Sequence, residues 1–345
     1  MMTFAMTSPR KLRFGLIGFG AFAERAVLPA MRDVQNVEVV ALQKRSLAEA
    51  EAKAQIHGIP LAFASVDDLV AHPEVDAVFI VSANAAHCPE TLAAARAGKH
   101  VLVEKPMALN VREAEEMIEA CRSAGVRLMV GHLIRFSPLI RHIRETLRSG
   151  VLGSITYARA DFVYDGRLSH RGWLRDRAVA GGGPLFDVGV HCLDALRFLL
   201  DDEVLSVSAV LSPVPTPERT EESALIGLNF RRGTVGAIFC SYISSTRRKQ
   251  LEIIGTEGLI TAGDFTSGNQ ETVVTTRLGT DAKPGETRTQ TFRIPNLLSE
   301  EVHHFATAVL DGGGLDSPGE NGLANQRVLD AVMTAGLQGG SVQWG

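Results

Sequence analysis

Along the first 130 positions, apolar residues come in short unbroken runs separated by mixed stretches of helical length. Leu12 to Ile17 is such a run, closed by glycines, and reads as a buried strand. Ala21 to Arg32 then reads as a helix, Val37 to Leu42 as a strand, Ala48 to His57 as a helix and Asp67 to Ala71 as a short helix. Val75 to Val81 is a fully apolar strand, and His87 to Ala97 a helix that stops at Gly98. Val101-Leu102-Val103 is a strand that delivers Glu104-Lys105-Pro106. Val111 to Ala124 is an acidic amphipathic helix stopped by Gly125, and Val126 to Val130 is the last strand of the series. Strands apolar on both faces, alternating with helices, predict a parallel sheet covered on both sides, of the doubly wound type that binds dinucleotides.

After Gly131 the pattern changes. A helix from Pro138 to Ser149 leads to Gly153, and then come longer, alternating segments: Ile155 to Tyr164, Leu205 to Leu211, Ala224 to Phe230, Thr234 to Ile243 and Gln250 to Ile254. The turn Arg231-Arg232-Gly233 joins two of them as a hairpin. This half predicts a large, mostly antiparallel sheet. One helix, Asp187 to Leu200, interrupts the strands, and two more, Glu300 to Leu310 and Asn321 to Leu337, close the chain. A sheet that size with few helices of its own predicts an exposed apolar face and a homo-oligomer.

Composition narrows the class. With 345 residues the chain exceeds one ordinary core. A net charge of −4 gives no electrostatic footprint for nucleic acid, and Arg247-Arg248-Lys249 reads as a solvated basic loop. No apolar run reaches the length of a membrane span. Met1 to Arg10 lacks an apolar signal core and reads as a tail, which points to the cytoplasm. Cys88, Cys121, Cys192 and Cys240 are scattered, which argues for reduced thiols and against a disulfide frame or a metal site.

Three separated motifs carry chemistry. Gly18-x-Gly20-x-x-Ala23 follows a strand and opens a helix, the context in which such glycines cradle a pyrophosphate at a helix N-terminus. Gly18, Phe19, Gly20, Ala21 and Phe22 are therefore candidate cofactor contacts. At the end of the second strand an acidic residue would bind the ribose 2′-hydroxyl of NAD. This chain has Gln43-Lys44-Arg45-Ser46 there instead. Lys44, Arg45 and Ser46 suit a 2′-phosphate, so NADP(H) is expected to be preferred, with NAD(H) possible. Lys105 stands at the carboxyl end of a sheet strand, where ligands of this fold bind, and can steady a developing alkoxide. Asp187 and His191, after Gly181-Gly182-Gly183, are four apart and would share a helix face. The carboxylate would then orient the imidazole, and His191 would accept a proton. The competing assignment gives that role to Lys105. Asp194 continues the same face and reads as structural.

Together these residues resemble the glucose-fructose oxidoreductase / inositol dehydrogenase family, usually called Gfo/Idh/MocA. Its marks run from about Leu12 to Leu337. They include Ala97-Gly98-Lys99-His100-Val101-Leu102-Val103-Glu104-Lys105-Pro106, Arg135-Phe136-x-Pro138, Trp173, and Asp187-x-Gly189-x-His191-x-x-Asp194. The resemblance implies an N-terminal Rossmann domain (residues 10–132). It also implies a C-terminal α/β domain with a large, mostly antiparallel open sheet for substrate binding and oligomerisation (133–345). It places the family's catalytic lysine, aspartate and histidine on Lys105, Asp187 and His191. Ser82, Asn84, His87 and Glu104 join the cofactor site, and Arg135, Tyr164, Trp173 and Arg175 are candidate substrate contacts. Many relatives carry Arg directly after the tryptophan, where this chain has Leu174. The implied activity is hydride transfer with a sugar, cyclitol or related polyol, by a homodimer or homotetramer. A nicotinamide-assisted glycosidase and a non-catalytic sugar-sensing regulator are the alternatives within the family.

Overall fold

The computed structural model describes residues 10–167 and 171–344, so the tail reading of residues 1–9 lies outside the described residues. The first sheet consists of β1 (Leu12–Ile17), β2 (Val37–Gln43), β3 (Leu61–Phe63), β4 (Ala77–Ile80), β5 (His100–Glu104) and β6 (Leu128–Gly131), all parallel. Their order is β3-β2-β1-β4-β5-β6, which reverses between β1 and β4. Ligands of open α/β sheets bind at that reversal, outside the carboxyl ends of the strands. Only β3 was not singled out by the hydrophobic pattern. It has 3 half-buried residues at the sheet edge, too short a run to stand out.

The alternation within β1 explains why both faces are covered. Leu12, Phe14 and Leu16 enter a core with Val27 and Met31. Val302, Phe305 and Ala306, from the late helix Leu297–Asp311, complete it. Ile17 joins the opposite core, with Val78, Ile80, Val101 and Val103 and with Ala114 and Met117 of the helix Val111–Ser123. Phe305 is fully buried beside Phe14, ring centroids 5.9 Å apart. Truncating such a ring to alanine costs about 3–5 kcal/mol. The chain's end thus closes the face of its beginning.

The second sheet is formed by β7 (Ile155–Asp165), β8 (Val204–Ser212), β9 (Ser223–Phe230), β10 (Val235–Ser241), β11 (Ile243–Gly255), β12 (Gly258–Gly263), β13 (Gln270–Gly279), β14 (Pro284–Ile294) and β15 (Ser341–Gln343). Their order is β14-β13-β12-β11-β7-β10-β9-β8-β15, antiparallel except where β10 runs parallel to β7. The strands β12 to β14 were not foreseen. β14 is exposed along nearly its whole length, so no apolar alternation marks it.

One face of this sheet carries the core. Ala158 and Ala160 of β7 and Leu251 and Ile253 of β11 pack with Cys192 and Leu196 of the helix Val190–Leu200. Phe162, Tyr164 and Lys249, which share that alternation, come to the same side at the strand ends. The opposite face aligns Val210, Leu225, Phe239 and Asp161 across β8, β9, β10 and β7. There Val210 is 65% and Leu225 53% exposed.

Candidate active site

The turn after β1 is shaped by what it excludes. Gly18 has φ +79°, and a Cβ there would lie 2.6 Å from Ser82 Cα, so no side chain fits. At Gly20 the nearest atom to such a Cβ is Gly18 O at 3.8 Å, which leaves open space beside the helix that begins at residue 21. That helix contains a π segment, Ala23–Val27, and packs through the buried Ala23. Free N–H groups, a positive helix end and an uncluttered approach fit a dinucleotide pyrophosphate.

The end of β2 is partly committed to the protein itself. Gln43 Oε1 accepts from Gly18 N at 3.2 Å, and its Nε2 donates to Ala64 O at 2.8 Å. Lys44 Nζ donates to Phe19 O (3.2 Å) and pairs with Glu49 (3.3 Å). Ser46 Oγ caps the helix Leu47–His57 by accepting from Glu49 N. Of the three residues assigned to a 2′-phosphate, Arg45 alone is exposed with no hydrogen bond or ion pair given among the described residues.

The loop after β4 packs against the glycine turn, with Ser82 beside Gly18. Ser82 Oγ donates to Glu90 Oε2 at 2.5 Å, and burial pushes the Glu90 carboxyl up to about 7. Asn84 Nδ2 donates to Ala180 O at 2.9 Å, tying the first domain to the glycine-rich turn. His87 has no exposed surface and lies between Pro106 O (2.9 Å) and Ser82 O (3.2 Å). Burial lowers its pKa to about 4, so it is neutral. It joins the loop after β4 to the turn after β5. Glu104 is also buried. Its Oε2 accepts from Lys105 N at 3.1 Å, its Oε1 has no partner, and burial pushes it up to about 7.

At the carboxyl end of β5, Lys105 Nζ donates to Asp187 O at 2.8 Å and to Asp187 Oδ1 at 3.0 Å. Arg171 reaches the same carboxylate with Nη1 (3.2 Å) and Nη2 (2.9 Å). The hydroxyls of Tyr164 (3.2 Å) and Tyr242 (3.0 Å) donate to its Oδ2. Burial alone would raise the pKa of Asp187, but the charges of Lys105 and Arg171 outweigh it and hold the carboxyl well below the usual range. Burial and the Asp187 charge push Tyr164 up to about 12 and Tyr242 well above its ordinary value, so both stay neutral donors. Lys105 and Arg171 share one carboxylate, which brings two cations to the carboxyl end of β5.

The expected Asp187–His191 pair is not formed. Asp187 lies in a π-helical turn, Leu185–Gly189, and its carboxylate is occupied by Lys105, Arg171, Tyr164 and Tyr242 instead. The turn is held by Glu221, whose Oε1 accepts from Gly183 N (2.9 Å) and Leu185 N (3.1 Å). A Cβ at Gly183 would strike Glu221 O at 2.0 Å, which accounts for the last glycine of the motif. His191 instead stacks against Phe162, ring centroids 6.4 Å apart, with its Nδ1 buried and unpartnered. Burial, then the charge of Lys105, holds its pKa well below 6.5, so the ring is a neutral base. Nothing in the sequence announced Arg171 or Tyr242. The one available signal was that the chain has 3 tyrosines, two of which converge on Asp187.

One of the candidate substrate contacts, Arg135, lies elsewhere, while Arg175 lines a pocket together with Tyr242. Arg135 is buried and holds Asp194 through Nε and Nη2, both at 2.8 Å, and also donates to Asp316 O and Asn321 Oδ1 at 2.6 Å. Every face of its guanidinium is taken by the protein. Arg175 donates to Arg167 O at 2.8 Å, on the loop beyond Tyr242. Trp173 is half-buried against the second core, and the Tyr164 hydroxyl is bound to Asp187 in the carboxylate cluster.

Comparison with known proteins bears on this geometry. A family model described as an oxidoreductase family with an NAD-binding Rossmann fold matches residues 12–132, and the GFO/IDH/MocA C-terminal domain matches 140–261. The chain is 32% identical over 329 residues to 1,5-anhydro-D-fructose reductase of Ensifer adhaerens, covering 95% of this chain and 97% of that one. It is 35% identical over 251 residues to trans-1,2-dihydrobenzene-1,2-diol dehydrogenase of Mus musculus, covering 72% and 73%. The solved aldose-aldose oxidoreductase of Caulobacter crescentus, complexed with glycerol, superposes with a TM-score of 0.87 at 29% identity, over 97% of this chain and all of that one.

Proposed function

This chain belongs to the Gfo/Idh/MocA family of NAD(P)-dependent oxidoreductases, and from that premise we propose that it transfers a hydride between NADP(H) and a CH–OH group of a sugar, cyclitol or related polyol. The observation that carries this reading is the Lys105 ammonium, fixed by Asp187 at the carboxyl end of β5 beside a neutral His191. When bound, the nicotinamide supplies the hydride acceptor or donor. Lys105 donates a hydrogen bond to the reacting oxygen and stabilises its negative charge. His191 accepts the hydroxyl proton in oxidation and returns it in reduction. Asp187 holds Lys105 and Arg171 in place, so its role is to position the ammonium, with no contact to the imidazole. Gly18, Phe19, Gly20, Ala21 and Phe22 hold the pyrophosphate, and Arg45, supported by Lys44, meets the 2′-phosphate.

By name, one relative reduces an anhydro sugar and another dehydrogenates a cyclic diol, which supports the substrate class. A screen of sugars and polyols with both cofactors, read by nicotinamide absorbance, tests the reading. Turnover with NADP(H) is expected. Sugar cleavage without net change in absorbance would replace it with the glycosidase reading. The outward row of Val210, Leu225 and Phe239 further supports a homo-oligomer through this face. A monomeric mass by light scattering at micromolar concentration would contradict that.

A further inference from the structure

The basic segment at residues 247–249 is built into the substrate side of the second sheet. Lys249 is only 8% exposed, and Lys249 Nζ has one hydrogen bond, to Ser267 Oγ at 2.8 Å. The same ammonium stands 4.7 Å from the centroid of Phe162, the ring that stacks on His191. Arg247, two residues earlier on β11, stands 5.7 Å from the centroid of Tyr164, whose hydroxyl reaches Asp187. Each cation is therefore one aromatic ring removed from a residue of the catalytic cluster, Lys249 through Phe162 to His191 and Arg247 through Tyr164 to Asp187.

The exposed Asp264, whose N donates to Lys249 O at 2.7 Å, is the nearest acid, and it forms no ion pair with either cation among the described residues. Among the described residues neither Arg247 nor Lys249 forms an ion pair. Asp187 is shared by Lys105 and Arg171. Asp161, on the outward face, is held by Arg159 and Arg248. Asp264 favours the charged form of Lys249 from a distance, but burial and the Arg247 charge outweigh it and lower the ammonium to about 8. A buried ammonium with one neutral acceptor is costly to keep unless something else meets it.

We propose that Arg247 and Lys249 form an anion subsite, so that the substrate is an acidic sugar or polyol whose carboxylate or phosphate docks there while its distal CH–OH faces Lys105 and His191. This rests on the oxidoreductase reading for the identity of the distal group. An anion at Lys249 supplies the missing acceptors, and Phe162 and Tyr164 present flat faces to the sugar between the two ends.

The test is calorimetric titration of the protein with NADP bound, using D-glucuronate, D-glucose 6-phosphate and D-glucose as probes. At least one acid should bind more than about tenfold tighter than glucose. Arg247→Gln and Lys249→Met should each remove most of that preference, and Lys249→Arg should retain it. Arg247 is exposed, so its variant keeps the test open if Lys249→Met folds poorly. The winning acid shows whether carboxylate or phosphate is recognised. Equal binding of all three, no binding of any, or a preference untouched by both variants would overturn the subsite. Turnover of neutral polyols with no preference for acids would sink this proposal and leave the oxidoreductase reading standing. Acid binding through Lys249 without any hydride transfer would do the reverse.

Discussion

Asp187 and Asp194 stand seven residues apart on one helical segment, both buried, both held far below the usual carboxyl pKa by cations that outweigh desolvation. Their partners separate them. Asp194 accepts from Arg135, Asn321 and Asn325 at 2.8–2.9 Å, all buried or half-buried, and Arg135 has no unused donor face. Asp187 is met by Lys105 from the first domain and by Arg171, whose side chain is 44% exposed. The first network closes on itself. The second joins cations from two segments to one carboxylate, with a neutral imidazole nearby and Arg171 partly exposed. A depressed carboxyl pKa therefore marks both kinds of site equally, and the exposure of the paired cations tells them apart.

The largest expected effect lies at the open network. Lys105→Ala and His191→Ala should each lower turnover by about 10²–10⁴, Lys105 at least as much as His191, with cofactor affinity nearly intact. Stopped-flow hydride transfer on a sugar returned by the screen reads both. Near-normal turnover in His191→Ala would pass the proton to Lys105. Arg135→Ala, at the closed network, should instead unfold at lower temperature, since breaking a buried pair costs about 3–5 kcal/mol.

The pH profile sharpens the same contrast. His191 acts as a base when neutral, and its pKa is lowered from 6.5 by burial first and the Lys105 charge second. The base form is present above the lowered pKa and lost only as pH falls through it. Oxidation should therefore show no acidic limb in kcat/KM between pH 8 and about 6.5. A limb near 7 would point to Glu104, which burial pushes up to about 7, as the group that must ionise.

Cofactor choice is the smaller effect. NADP(H) should bind about tenfold tighter than NAD(H) in a direct titration, roughly 1.4 kcal/mol. Lys44→Asp should shift preference towards NAD, and Arg45→Ala should remove most of the NADP advantage, because Arg45 is the uncommitted cation. Equal affinities in the parent protein would sink the preference.

Much of this was legible in the sequence for one physical reason. Buried parallel strands and glycine turns leave strong local signals, so the first sheet and the cradle at Gly18 and Gly20 could be read directly. Lys105, Asp187 and His191 could be singled out as candidates for the same reason, since each follows a motif fixed by backbone geometry. The Asp187–His191 pairing was misread because an i,i+4 argument sees only neighbours on one helix, and the Asp187 carboxylate is filled by side chains from distant segments. Arg171, Tyr242 and Lys249 were missed because long-range contacts placed them, from segments that read as loop or ordinary strand. The exposed β14 carried no alternation to read.

The comparison is tested most directly by Asp187→Asn and Asp194→Asn side by side, each measured for turnover per folded molecule and for thermal unfolding. Asp187→Asn should lose most of its turnover with a small fall in melting temperature, because Lys105 and Arg171 can turn to water in the cleft. Asp194→Asn should melt markedly lower and keep its turnover while folded, because Arg135 is left with a buried charge unpaired. If both variants lose turnover and stability alike, the two networks are one structural unit and the chemistry lies elsewhere.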